Sequence, residues 1–148
     1  MQDQIDKDLK TALLGGDKAK VETLRTVKSA LLNEAIAVGA RDSGLSDEQI
    51  QKVLARESKK RQEAAELYQQ GGAPDRAQKE LAEKVVIDSY LPEPMSEDEV
   101  AKIVDEEIAG AGQPTSADMG RIIGAVRGRA QGRADGALIA KLVKEKLQ

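Results

Sequence analysis

The stretch of this chain richest in groups that could do chemistry is "GRIIGAVRGRAQGRADG", residues 120–136. Glycine recurs at every fourth position, at Gly120, Gly124, Gly128, Gly132 and Gly136, and Arg121, Arg127, Arg129 and Arg133 lie between them. Arginine forks match phosphate and carboxylate oxygens two at a time, so the chemistry on offer is anion binding. Other sets of residues offer less. The chain has no histidine and no cysteine, which removes Ser-His-Asp triads, cysteine nucleophiles and Cys/His zinc sites. Asp105, Glu106 and Glu107 sit side by side on one acidic helix and read as surface charge, not as a general acid and base. Ser58 and Lys59 are sequence neighbours, and adjacent residues on a helix do not face each other. No phosphate-binding loop of the GxxxxGKS/T type is present, and no strand precedes the GxxxG spacing as a dinucleotide fingerprint requires. No catalytic residue, metal site or cofactor is expected.

The elements that position these residues are helical. Of the 148 residues, 40% are hydrophobic and 33% charged, and Tyr68 and Tyr90 are the only aromatics, so the core must be aliphatic. Ala, Leu, Glu, Gln, Lys and Arg dominate, all strong helix formers, and an all-α protein is expected. Residues 2–14 predict a short amphipathic helix with Ile5, Leu9 and Leu13 on one face, broken by Gly15-Gly16. Residues 18–38 carry Val21, Leu24, Val27, Leu31, Ala35 and Val38 at helical spacing. Ser46 and Gln49 form a capping-box pattern opening a helix to about residue 70, which carries Leu67 and Tyr68 near its end. The middle of that helix, "RESKKRQEAAE", reads as a solvated charged face. "GGAPD" is a turn, and a helix from Pro74 to Tyr90 offers Leu81, Val85, Ile87 and Leu91 for burial. Pro92 and Pro94 then stop the chain, because proline lacks the amide and clashes with the preceding turn. This predicts an N-terminal helical domain with a long hairpin over 1–92 and a three-helix domain over 93–148. The three helices are placed at 97–110, 116–128 and 136–147, the first opened by a capping box at Ser96 and Glu99.

A continuous helix over 120–136 would carry three interior glycines at about 1 kcal/mol each, so a break is expected at Gly128–Gly132, with Asp135 capping the last helix. Two readings of Gly120 and Gly124 stand: close packing of a neighbouring helix, or close approach of a ligand backbone. The charges are also divided. Residues 93–118 hold eight acids and one lysine, and residues 119–148 hold seven bases and two acids, in a chain of net charge −3. Either the acidic helix pairs with the basic segment, or the basic segment forms an anion-binding face. A second basic spot, Lys59-Lys60-Arg61 with Arg56 one turn earlier, reads as a solvated face paired with Glu57, Glu63 and Glu66.

Three motifs in order carry a family resemblance: "LKTALLGGDKAKVETLRTVKSALLNEAI", "YLPEPMSEDEV" and "DMGRIIGAVRGRAQGRADG". Together they resemble the YqeY-like family across essentially the whole chain. Asp118, Met119 and Gly120 match the start of the family's last motif, and Gly132, Arg133, Ala134, Asp135 and Gly136 match its end. Between them the family commonly has a proline-and-lysine stretch where this chain has Arg127-Gly128-Arg129. The family is related to the C-terminal tail region of the GatB subunit of glutamine-dependent tRNA amidotransferase. The resemblance implies an all-α protein of two parts whose tail-like domain helps hold tRNA. It also brings a carbon–nitrogen ligase label, glutamine as amido-N-donor, which belongs to parts of the larger enzyme that this chain lacks.

The leading expectation is a tRNA-binding accessory module in which Arg121, Arg127, Arg129 and Arg133 contact phosphates, helped by Lys141 and Lys144. With almost no aromatics to stack bases, recognition would be of backbone and shape. The alternative is a protein-interaction module docking on a tRNA-handling enzyme through the long hairpin. A third reading, amide transfer by the chain itself, needs groups not seen in the sequence. A sequence pI of about 5.2 argues against a general nucleic-acid binder, and DNA is not an expected partner. The polar N-terminus lacks a signal-peptide core and no run approaches the ~20 apolar residues of a membrane span, so a cytoplasmic protein without a membrane partner is expected.

Overall fold

The computed structural model describes residues 1–148 and contains α-helices, one 3-10 turn and no strand. Its contacts divide the chain into two units, Met1–Leu91 and Pro92–Gln148. The first unit holds α1 (Gln2–Gly15), α2 (Lys18–Ala37), α3 (Asp47–Gln70) and α4 (Pro74–Asp88). Their boundaries follow from local chemistry. Gly16 ends α1 at φ 71°, a conformation that glycine adopts without steric cost, and the Asp17 side chain accepts from the Lys20 amide to start α2. Ser46 and Gln49 satisfy each other's backbone amides at 3.1 and 2.9 Å. Pro74 opens α4 at a position where its missing amide costs nothing. The core is aliphatic: Ile5, Leu24, Val27, Ile50, Leu54 and Ile87 are fully enclosed. Tyr90 donates its hydroxyl to Asp8 at 2.5 Å, tying the end of α4 to α1, and burial followed by that bond raises the phenol's pKa.

The α3–α4 hairpin departs from its sequence pattern. The middle of α3 is solvated on one side only: Arg56, Lys59, Lys60, Glu63 and Glu66 are exposed, but Glu57, Ser58 and Arg61 are buried. Arg61 donates to the Glu57 carboxylate at 2.8 Å and lies 3.5 Å from that of Glu83, while Ser58 donates to Asp88 at 2.5 Å. Complementary charges therefore occupy the surface between the two helices. On α4 Ala77 and Ile87 are buried, whereas Leu81 and Val85 are exposed, and Leu67 on α3 is exposed as well. On the other helices Leu13 and Val38 are each about half exposed, at 49% and 48%, so the stripes of α1 and α2 end earlier than their periodicity implies.

The second unit holds α5 (Glu97–Gly110), α6 (Met119–Ala130) and α7 (Gly136–Leu147), with a 3-10 turn at Ser116–Asp118 leading into α6. Val100, Val104, Ile122, Val126, Ile139 and Val143 fill its centre. Ser96 and Glu99 cap α5 reciprocally, and Thr115 and Asp118 do the same for the 3-10 turn. The break in the glycine-rich stretch falls at the end of the expected Gly128–Gly132 interval. Gly128 stays inside α6, which runs to Ala130, and the turn is made by Gln131 at φ 51° and Gly132 at φ 79°. No helix of either unit is long and apolar enough to cross a membrane.

Candidate anion-binding face

The four arginines of the glycine-rich stretch share a helix and its following turn, yet they meet four different surroundings. Arg129 points back to α5 and is held by two carboxylates, Glu106 at 2.6 Å and Glu107 at 3.2 Å. Those hydrogen bonds, Glu106 first, raise its pKa and fix the guanidinium in its charged form. Arg121 is bridged to Asp118 one turn earlier at 3.3 Å. Arg133 donates through Nε to the Glu93 carbonyl at 2.8 Å, and its own carbonyl accepts from the Met95 amide at 2.8 Å. It closes the loop after α6 onto the segment that precedes α5.

Arg127 differs. Like Arg133 it takes part in none of the ion pairs of this unit, and unlike Arg133 it donates to no backbone carbonyl. Its guanidinium lies across Gly136, so near that a Cβ added there would stand 2.9 Å from Nη2. The notch exists because Gly136 has no side chain. Gly136 is also the first residue of α7, where the helix dipole is positive. Asp135 sits at the same helix start, where it accepts from the Ala137 amide at 3.4 Å.

Around Arg127 the α6 backbone is bare. Gly120, Gly124 and Arg127 follow at steps of four and three, with Gly128 beside them, so they share one face of the helix. A Cβ at Gly120, Gly124 or Gly128 would meet nothing within 4 Å. The packing reading of Gly120 and Gly124 is thus overturned, because no neighbouring helix approaches them. Lys141 and Lys144 are one turn apart on the exposed side of α7, and neither has a carboxylate partner. The remaining base of α7, Lys146, is paired with Asp105.

The other residues of the motif build the turn. Asp118 accepts from the Thr115 amide at 2.9 Å, and Met119 packs on the core of the unit. Gly132 supplies the positive φ, Ala134 packs against the core, and Asp135 caps α7. The adjacent carboxylates of α5 are engaged by Lys146 and Arg129, and no group of three or more acidic side chains is placed to hold a metal ion. What reading residue types missed is the difference between Arg127 and its neighbours. The signal was present in the i, i+4, i+7 spacing of Gly120, Gly124 and Arg127, which puts the arginine among glycines and not beside α5.

A family model described as "Yqey-like protein" matches residues 2–147. No curated protein matches the chain.

Proposed function

This chain belongs to the YqeY-like family over essentially its whole length, and on that premise we propose that its C-terminal unit is a tRNA-binding module that grips the phosphate backbone along the outer face of α6 and α7. The observation that carries the reading is Arg127: an uncompensated guanidinium seated in the Gly136 notch, beside the positive end of α7, on a face of α6 cleared by Gly120, Gly124 and Gly128. Arginine, helix start and open backbone all favour an approaching phosphate. Lys141 and Lys144 extend the positive surface along α7. Arg129 is exposed and Arg133 half-buried, but both are engaged within the unit, by Glu106 and Glu107 and by the Glu93 carbonyl, so the contacts fall to Arg127, Lys141 and Lys144, with Arg121 at the edge. The family's relation to the tail of tRNA amidotransferase makes tRNA the RNA of choice. The role is that of an accessory in tRNA-dependent amidation, with the amide chemistry carried by another protein.

The test is binding of the purified chain to total tRNA at two salt concentrations. Three phosphate contacts give a log–log slope of roughly −2 to −3, a loss of about 20- to 40-fold between about 50 and 200 mM salt. Arg127→Glu/Lys144→Glu should abolish most of that binding, whereas Arg129→Ala, which breaks only internal pairs, should leave the slope unchanged. Absence of binding at the lower salt, or equal binding by the Arg127→Glu/Lys144→Glu variant, refutes the reading.

A further inference from the structure

The N-terminal unit carries a second surface that the tRNA reading leaves unused. Two open grooves of about 550 and 590 Å³ run along α2, one towards the α1–α2 turn and one towards the end of α2. They share Ser29 as a lining residue, and the pair is called the α1–α2 trough. Its apolar part includes Leu13 and Leu32, which are 49% and 50% exposed, and Ile36, 53% exposed, continues it one turn beyond Leu32. These are large aliphatic side chains left in water, as are Leu14, Leu67 and Val85 elsewhere in the unit.

Lys18, Glu22, Arg25, Ser29, Leu32 and Ile36 follow at steps of four and three and so share the outward face of α2, opposite its core stripe of Leu24, Val27 and Leu31. That face is polar or charged at its first four positions and apolar at Leu32 and Ile36.

Charge selects the occupant. The trough is lined by Lys18, Arg25, Lys28 and Arg41, against one lining carboxylate, Glu22. Lys28 is paired with Asp6 at 2.9 Å and Glu22 lies 3.9 Å from Lys79, while Lys18, Arg25 and Arg41 are in no ion pair. The whole chain has net charge −3, so this positive, apolar-floored groove runs against its average. RNA offers nothing to cover the two leucines and Ile36. A second copy laid trough to trough would bring the same cations face to face.

We propose that the α1–α2 trough is a docking site for an acidic amphipathic helix of a protein partner, with leucine- or isoleucine-like side chains on its seam and carboxylates flanking them. The twenty residues of α2 span about 30 Å, which sets the occupant at about five turns. Its apolar side chains cover Leu13, Leu32 and Ile36, and its carboxylates meet Lys18, Arg25 and Arg41. The inference does not depend on tRNA binding, because no residue of the proposed phosphate face takes part.

The test uses the full chain and a labelled peptide of about three heptads, with Leu at a and d and Glu at the flanking positions, beside a counterpart with Lys at those positions. Flanking Glu residues repel one another, so the acidic peptide does not pair with itself. The acidic peptide should bind at least about tenfold more tightly than the basic one. Leu32→Ser/Ile36→Ser and Arg25→Glu/Arg41→Glu should each weaken it by about tenfold or more. All four positions are exposed, so circular dichroism should stay that of the parent, and tRNA binding should be unaltered. No binding of the acidic peptide, equal binding of both peptides, or indifference to both variants overturns the proposal. Anionic phosphatidylglycerol vesicles bound in place of the peptide would assign the face to a membrane surface. A dimer abolished by Leu32→Ser/Ile36→Ser would assign it to a second copy. Either result also overturns the proposal.

Discussion

Replacing Gly124 by alanine separates the structural from the functional account of the glycine stripe, because the two predict changes of opposite sign. Gly124 lies in the middle of α6, outside the left-handed region, and a Cβ there meets nothing within 4 Å. The new methyl therefore creates no clash and removes the helix penalty of glycine, about 0.8–1 kcal/mol. With roughly 2.1 cal/mol/K of unfolding entropy per residue, ~1 kcal/mol raises Tm by about 8 °C if the C-terminal unit melts alone, and by about 3 °C if the chain melts as one. The same methyl stands between the α6 backbone and any phosphate approaching beside Arg127. Losing one charge-assisted contact costs about 1.5 kcal/mol, or about tenfold in tRNA affinity. Thermal melts and tRNA titrations of Gly124→Ala read both effects on one preparation. A lower Tm would mean that Gly124 is a packing residue after all. A higher Tm with undiminished tRNA affinity would remove the α6 face from the interface and refute the reasoning about the stripe.

Two other substitutions test the physical account of each unit. Gly132→Ala should do the reverse of Gly124→Ala: at φ 79° an L-residue costs about 1–2 kcal/mol, so Tm should fall, and an unchanged Tm would mean that the turn refolds around the methyl. In the hairpin, burial of Glu83, then the neighbouring Glu80, raises the Glu83 carboxyl above its ordinary value of 4.5 against the pull of Arg61. The folded chain then holds the extra proton across the interval between the two values, so this group makes stability fall as pH rises through it. Glu83→Gln removes that dependence, and urea unfolding between roughly pH 4 and 7 should show the variant gaining on the parent as pH rises. A variant that loses ground instead would show that attraction to Arg61 outweighs burial.

Helices and their ends were legible because the signals are local. A capping box needs only Ser46 with Gln49, or Ser96 with Glu99, and both are made. The break after α1 needs only a glycine able to take a positive φ, which Gly16 supplies. Burial along the α3–α4 hairpin was not legible, because periodicity equates apolar with buried. There Glu57, Ser58 and Arg61 are enclosed beside Ala65, Ala77 and Ile87, while Leu81 and Val85 face out. A charged residue enters such an interface only when complementary groups on the partner helix meet it. Glu83 and Asp88 do so here, and a single-helix pattern has no means of showing which residue of α4 lies opposite. The Lys59-Lys60-Arg61 run illustrates the limit: Lys60 stays exposed while Arg61, next to it, is enclosed between two carboxylates.

The charge division of the C-terminal unit posed a choice between internal pairing and an anion-binding face, and internal pairing accounts for some of the bases while leaving others free for the proposed face. Arg129 and Lys146 satisfy the acidic side of α5, and Arg121 satisfies Asp118. Those pairs are exposed, so solvent and salt screen them and each adds little to stability. They bring the positive helices α6 and α7 beside the negative α5 without using up the positive charge. Arg127, Arg133, Lys141 and Lys144 are in no ion pair, and of these Arg133 is tied to the Glu93 carbonyl. Arg127 is separated from Arg129 by one residue, and that offset of about 200° around the helix sends one guanidinium to α5 and the other to the notch of Gly136. Net charge, and even local charge, therefore says little about which arginine is available. The helical phase relative to the acidic neighbour decides it. A substitution at Arg129 should act on the packing of α5 against α6, and one at Arg127 should act on what the unit binds.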